Sequence, residues 1–419
     1  MADGAAPSRI AALDLVRGFA VLGILTVNIA GFAGPIAATL SPHVPTIASR
    51  ADEWLFAAVF VLFEGKMRAL FTMLFGASML LFIDHAEAQG RNGAALQARR
   101  LGWLAVFGYL HYALLWWGDI LFLYALAGFC ALALRRLEAR ELAVAGLLAF
   151  AMWHAAGALA SAPLVAAEEA VRTGTATPVE RAAIAERLAE SRQRSAEELK
   201  LGRAGLGEQI SARVTRQPMW PLTMAIFNMG ETLPLMLLGM ALFRAGFFTG
   251  AWPRRWLRRI VAAGLWLGFV PTLVVTIWMM RRHFPMEAMH AAAASWMAVP
   301  HLLMGAAYVT IAVVAAPHLL KTGMGRRLEA AGRMTLSNYL GTSLVMSALF
   351  SGWGLGWIGT VPETGQAVIV LGAWAIMLLW SPLWLSRFHI GPLEWIWRGL
   401  ATPAKYFRLS SIAIASNLH

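Results

Sequence analysis

Ten stretches of this chain are apolar for long enough to enter a lipid bilayer as helices: 13–33, 54–83, 101–117, 119–134, 142–163, 220–246, 260–280, 295–316, 334–352 and 366–386. A hydrocarbon core of about 30 Å takes about 20 helical residues. Only helices or closed barrels satisfy their own backbone there. The prediction is an all-α, polytopic membrane helix bundle of about ten transmembrane helices. Composition agrees, since 59% of residues are hydrophobic and 14% are charged, against about 45–50% and about 25% in soluble chains.

The second stretch is too long for one straight span, and Glu64, Gly65, Lys66 and Arg68 interrupt it, which predicts a break or kink. Gly118 and Asp119 separate the third and fourth stretches by a very short turn. The lone cysteine, Cys130, excludes an internal disulfide framework and a cysteine metal cluster, and its apolar setting suggests a buried packing residue.

Charge sets the orientation. With the N-terminus inside, twenty Lys and Arg fall in segments on the inner side, from Arg9 to Lys405 and Arg408. Only Arg50, Arg281 and Arg282 fall in the short outer loops. The positive-inside rule then predicts both termini in the cytoplasm. The same asymmetry accounts for a net charge of +12 without nucleic acid as a partner.

Residues 164–218 are polar, with nine basic and eight acidic side chains, and the topology places them outside. Thr177 and Pro178 form a helix entry within this external insertion. The predicted organisation is a five-helix membrane half at 1–163, the amphipathic segment at 164–218, a second five-helix half at 219–386, and an interfacial helix and tail at 387–419. Trp395, Trp397 and Tyr406 beside Arg398, Lys405 and Arg408 suit the membrane surface.

Ionisable groups within spans are costly and mark candidate sites. Asp14 and Arg17 are three apart on one helix face, either as an anchoring ion pair or as a wall of a polar cavity. Asn28 returns to roughly that face about three turns later. Glu64, Lys66 and Arg68 surround a break that can line a cavity. Glu231, near the helix-bending Pro234, reads as a relay or ligand group or as the ion-pair partner of Arg17 or Lys66. His43 sits between Pro42 and Pro45 in the first outer loop, where imidazole chemistry near neutral pH is available. His111, His154 and His301 read as packing histidines. No metal-ligand motif, Walker loop or nucleophile elbow is present, and no metal is expected.

Four passages carry a resemblance: RIAALDLVRGFAVLGILTVNIAGF at 9–32, FEGKMRALFTMLFGASM at 63–79, AAGRMTLSNYLGTSLV at 330–345 and GPLEWIWRGLAT at 391–402. In this order they resemble the bacterial YeiB-like membrane proteins, a group with a domain of unknown function. The opening LDxxRG…N pattern is also similar, more distantly, to the heparan-alpha-glucosaminide N-acetyltransferase family and other transmembrane acyltransferases. That resemblance implies transfer of an acyl group from cytoplasmic acyl-CoA, with acetyl-CoA as donor, to an extracytoplasmic sugar-like or amine acceptor. It carries Asp14, Arg17 and Asn28 into a catalytic set and points to His43, the sole histidine in the loop after the first helix. Lys66, Arg68, Arg99, Arg100, Arg333 and Asn338 are the corresponding candidates for binding CoA. The setting implied is the bacterial cytoplasmic membrane, with lipids and a small-molecule acceptor as partners and a homodimer left open. Glu64 and Glu231 are further intramembrane polar candidates; a transporter with a midplane site of Glu231, Asp14 and Arg17, and a non-catalytic scaffold or sensor, are the other readings.

Overall fold

A computed structural model describes residues 6–402, with the side chains of residues 6–10 outside the description. Lys405, Tyr406 and Arg408, and the Arg9 side chain, therefore lie outside the described residues. Helix α1 (Ala6–Ala33) leads through a loop carrying His43 to α2 (Arg50–Leu62) and α3 (Lys66–Ala88). Helices α4 (Gly93–Leu114) and α5 (Leu121–Ala133) form a hairpin. Helices α6 (Ala139–Thr173), α7 (Pro178–Gly202) and α8 (Leu206–Ser211) lead to α9 (Trp220–Arg244). Helix α10 (Arg254–Ala263) continues through a π-helical stretch, Gly264–Phe269, into α11 (Val270–Met280). The described residues continue with α12 (Met286–Ala291), α13 (Ala298–Leu319), α14 (Gly323–Arg333), α15 (Thr335–Phe350), α16 (Glu363–Phe388) and α17 (Pro392–Ala401). Among the described residues there is no strand.

Among the described residues, seven helical runs are long and apolar enough to cross a membrane: Ala11–Ala33, Arg50–Ala88, Ala139–Thr173, Trp220–Arg244, Arg254–Met280, Ala298–Leu319 and Glu363–Phe388. Their outer faces carry bare apolar side chains, among them Leu159 at 76% exposed, Leu383 at 70% and Trp266 at 67%. Surface of this kind is at home in hydrocarbon and not in water. The other three expected spans correspond to α4, α5 and α15. At 1.5 Å per residue, the 13 residues of α5 reach only about 20 Å and the 16 of α15 about 24 Å. Cys130 lies exposed on α5, where a buried packing residue was expected.

The expected break is present. α2 and α3 are separated at Gly65, whose φ of +72° suits a residue without Cβ. Helix α6 runs through residue 163 to Thr173, so the polar segment begins inside a helix. Thr177 caps α7, accepting from the Glu180 amide while Glu180 accepts from the Thr177 amide.

Small residues let the central helices touch. A Cβ at Gly239 would lie 1.9 Å from the Met73 carbonyl oxygen, and one at Gly76 would lie 2.1 Å from that of Met236, so α3 and α9 meet backbone to backbone. Gly18 and Gly332 do the same for α1 and α14. The main core fills the space around α1, α3, α5 and α9 with Leu70, Met73, Ala125, Leu235 and Met240.

Candidate functional site

The polar residues fall into separate clusters along this bundle. At the end where α1 starts, Arg17 donates to Asp14 Oδ1 at 2.5 Å and to Ser78 Oγ at 2.5 Å. Arg100 is sandwiched between the rings of Phe82 and Trp397, 4.0 and 4.3 Å from their centroids, and its Nε is buried without a partner. Burial pushes the Arg398 guanidinium below its ordinary value, with Glu394 and Asp14 opposing and Arg17 and Arg333 adding to the fall. Four arginines thus gather among the carboxylates of Asp14, Glu329 and Glu394. Arg99 donates to the Leu400 carbonyl at 3.1 Å and Arg333 to that of His389 at 2.9 Å.

Two of the sequence passages meet here. Glu394 caps α15, accepting from the Leu336 and Ser337 amides at 2.7 and 3.0 Å and from the Ser337 hydroxyl at 2.5 Å. Asn338 is buried beside it. Its Nδ2 donates to the Ala331 carbonyl and Ser381 Oγ, and its Oδ1 accepts from Trp380 Nε1. The Asn338 amide is therefore engaged in holding α15 against α16.

Around the break, Lys66 is fully buried and donates to the Phe60 carbonyl at 2.8 Å. Arg68 Nε lies 3.0 Å from Glu231 Oε1 and its Nη2 3.9 Å from Glu64 Oε1. Glu231 pairs with Arg68, and the expected alternatives, Arg17 and Lys66, have other partners. His154 Nε2 and His301 Nε2 are buried without partners, while His154 Nδ1 donates to the Ala294 carbonyl at 3.0 Å. Gly65 allows the close approach, since a Cβ there would meet His301 Nδ1 at 2.0 Å.

At the opposite end, His43 Nε2 lies 3.0 Å from Glu53 Oε1, and Ala48 donates its amide to His43 Nδ1 at 3.3 Å. The proton therefore sits on Nε2 and is donated to Glu53. His283, held at a left-handed φ of 56°, brings Nδ1 to 3.6 Å from the same Glu53 oxygen. These three donor atoms lie within 4.8 Å of one another, near enough for one transition-metal ion. A metal-bound imidazole, however, normally donates its far N–H. His43 Nδ1 instead receives one, so the arrangement fits a His43–Glu53 hydrogen bond with His283 alongside better than a ligand set. The loop is tied down by Glu198 of α7, whose carboxylate accepts the Ile36 amide at 2.7 Å, and by the Gly359 amide on the Ala33 carbonyl at 2.7 Å.

Asn28 belongs to neither end. With Tyr339, Thr342 and Ser343 it lines a small pocket between α1 and α15. It stands about 17 Å along α1 from Arg17. One pair was not singled out from the sequence: His111 Nδ1 lies 2.8 Å from Asp119 Oδ1 with both side chains shut away from solvent. The signal available was an aspartate in the short turn after an apolar helix ending in histidine.

A helical bundle with apolar flanks and charged groups held within it defines an integral membrane protein. Residues 242–403 match the family described as "Protein of unknown function (DUF418)". The chain is 28% identical to the uncharacterised protein YxaH of Bacillus subtilis (strain 168) over 410 residues, covering 93% of each chain. It is 28% identical to the uncharacterised protein YeiB of Escherichia coli (strain K12) over 398 residues, covering 94% of this chain and 96% of that one. An uncharacterised 39.9 kDa protein from the amylase 3' region of Bacillus acidopullulyticus is 24% identical over 416 residues, 95% of each. No solved structure matches. The chain is thus similar, over most of its length, to uncharacterised YeiB-like proteins, and its residues 242–403 carry the domain of unknown function.

Proposed function

We propose that this protein is an acyltransferase of the bacterial cytoplasmic membrane, with ten membrane segments and both termini inside. It moves an acyl group, acetyl in the simplest case, from cytoplasmic acyl-CoA to a sugar-like or amine acceptor outside. The observation that carries this reading is the placement of two chemistries at opposite ends of α1. His43 and Glu53 form a hydrogen-bonded pair at 3.0 Å at one end, and Arg17, Arg100, Arg333 and Arg398 gather at the other. Guanidinium groups suit phosphate geometry, so the arginine end fits the phosphates of CoA. Glu53 fixes the orientation of His43, which in turn orients the acceptor. Asn28, between the ends, has an amide suited to donating to an acyl carbonyl oxygen as charge develops on it. The LDxxRG…N resemblance supports the same chemistry.

The test is release of CoA thiol from acetyl-CoA by the purified protein in lipid nanodiscs, with and without an amino-sugar acceptor. Acceptor-dependent release, reduced in His43→Ala, supports the reading. Absence of both binding and release overturns it. A second reading, transport of a small metabolite, is favoured by the Arg68–Glu231 pair inside the bundle. Substrate uptake or export driven by a proton gradient, in the absence of any thioester turnover, would establish that reading.

A further inference from the structure

His43 and His111 are both held by carboxylates, but they present different nitrogens. Both nitrogens of His43 are engaged, one by Glu53 and the other by the Ala48 amide. His111 uses Nδ1 on Asp119, and its Nε2 is buried with no hydrogen-bond partner. The second Asp119 oxygen accepts the Phe122 amide at 2.8 Å at the start of α5, so the carboxylate cannot swing away. Gly108 makes room, since a Cβ there would meet Asp119 Oδ2 at 2.8 Å and the Phe122 nitrogen at 2.3 Å. An imidazole clamped at Nδ1 by a fixed carboxylate, with a free lone pair at Nε2, has the geometry of a general base.

Its surroundings point to where that base works. The Tyr339 ring lies 5.2 Å from the His111 ring and forms part of the wall of the pocket that Asn28 lines. The Tyr339 hydroxyl is buried beside the Ile120 backbone. Phe32, on the same pocket, stacks on Trp116 at 4.0 Å, and Trp116 in turn packs near His111. Unsatisfied buried polar atoms are rare and call for an explanation. Here one of them, His111 Nε2, belongs to a ring packed behind Tyr339, which lines a cavity with an amide on its wall.

We propose that His111, held by Asp119, is the proton acceptor for acyl transfer in the pocket lined by Asn28, Tyr339, Thr342 and Ser343. The inference rests on the acyltransferase reading and names its base. The acceptor hydroxyl or amine attacks the thioester carbonyl carbon, forming the new C–O or C–N bond, and its proton passes to His111 Nε2. The C–S bond breaks, and the departing thiolate takes that proton to leave as CoA thiol. Asp119 is a positioning residue that stabilises the imidazolium. His43, with both nitrogens engaged by Glu53 and the Ala48 amide, shapes the outer loop through which the acceptor approaches.

The experiment compares wild type with His111→Gln and Asp119→Asn in nanodiscs, following thiol release from acetyl-CoA with an amino-sugar acceptor, with thermal unfolding as the check on folding. The expected result is a loss of about 10²-fold or more in kcat in both variants, with KM for acetyl-CoA unchanged. Where the glutamine variant proves unstable, the nearly isosteric Asp119→Asn decides. Wild-type kcat in a folded variant overturns the assignment of His111 and leaves the acyltransferase reading intact. No thiol release by wild type overturns that reading, and this inference with it.

Discussion

His111 and Asp119 are joined at 2.8 Å across the tip of the α4–α5 hairpin, and neither side chain reaches solvent. The pair joins fold to chemistry, because the carboxylate that orients the imidazole also caps the following helix.

That double duty has a cost when Asp119 is removed. Asp119→Ala leaves His111 Nδ1 and the Phe122 amide without their partner in one step. A lost cap and an unsatisfied buried donor together predict destabilisation of about 2–4 kcal/mol. Asp119→Asn, which keeps an oxygen for one donor, should lose less. Chemical denaturation in detergent measures both, and equal stability of wild type and Asp119→Ala would contradict the account.

The α1–α14 contact is set by glycine. A Cβ at Gly18 would lie 1.9 Å from the Leu328 carbonyl oxygen, and one at Gly332 would lie 1.7 Å from that of Asp14. Backbone cannot yield as a flexible side chain can, so Gly18→Ala and Gly332→Ala should each destabilise by about 1–3 kcal/mol. Gly341→Ala, with open space around its Cβ, should be neutral or slightly stabilising. Melting temperatures of the three variants check this.

Much of the bundle was legible in the sequence, because lipid demands long apolar helices whatever they pack against. The break at Gly65, the Thr177 cap and the Asp14–Arg17 pair were legible for local reasons: a conformation, a cap motif and a three-residue spacing. Pairings between helices were not. The partner of Glu231 is Arg68, 163 positions away, and several cations suited it equally well. His111 read as packing because its partner lies beyond a tight turn and Asp119 looked like the turn itself. Asn338 read as a binding residue because its sequence passage stood out; in the fold that passage joins the Glu394 passage and holds α15 in place.

The Arg68–Glu231 pair should behave as a coupled unit. Arg68→Ala strands Glu231, Glu231→Ala leaves Arg68 with only Glu64 at 3.9 Å, and the double variant removes both members of the closer pair. A double-mutant cycle should return a coupling of about 0.5–3 kcal/mol. Strict additivity would contradict a functioning ion pair.

Glu198 ties α7 to the end of α1, and burial raises its carboxyl above the ordinary carboxylate value, with the Ile36 amide and Arg194 opposing. A raised folded-state value means that the folded protein holds the proton more tightly than the unfolded chain. Its contribution is fully present below the ordinary carboxylate value and is lost as pH rises through the folded value. The unfolding free energy, measured by chemical denaturation as a function of pH, should therefore be greater on the acid side of that value. Glu198→Gln should abolish the dependence.

The most direct test is acetyl-CoA turnover by the purified protein in nanodiscs with an amino-sugar acceptor present. The account predicts acceptor-dependent release of CoA thiol that falls in His43→Ala and His111→Gln. A protein that neither binds acetyl-CoA nor releases thiol, while remaining folded, would contradict it.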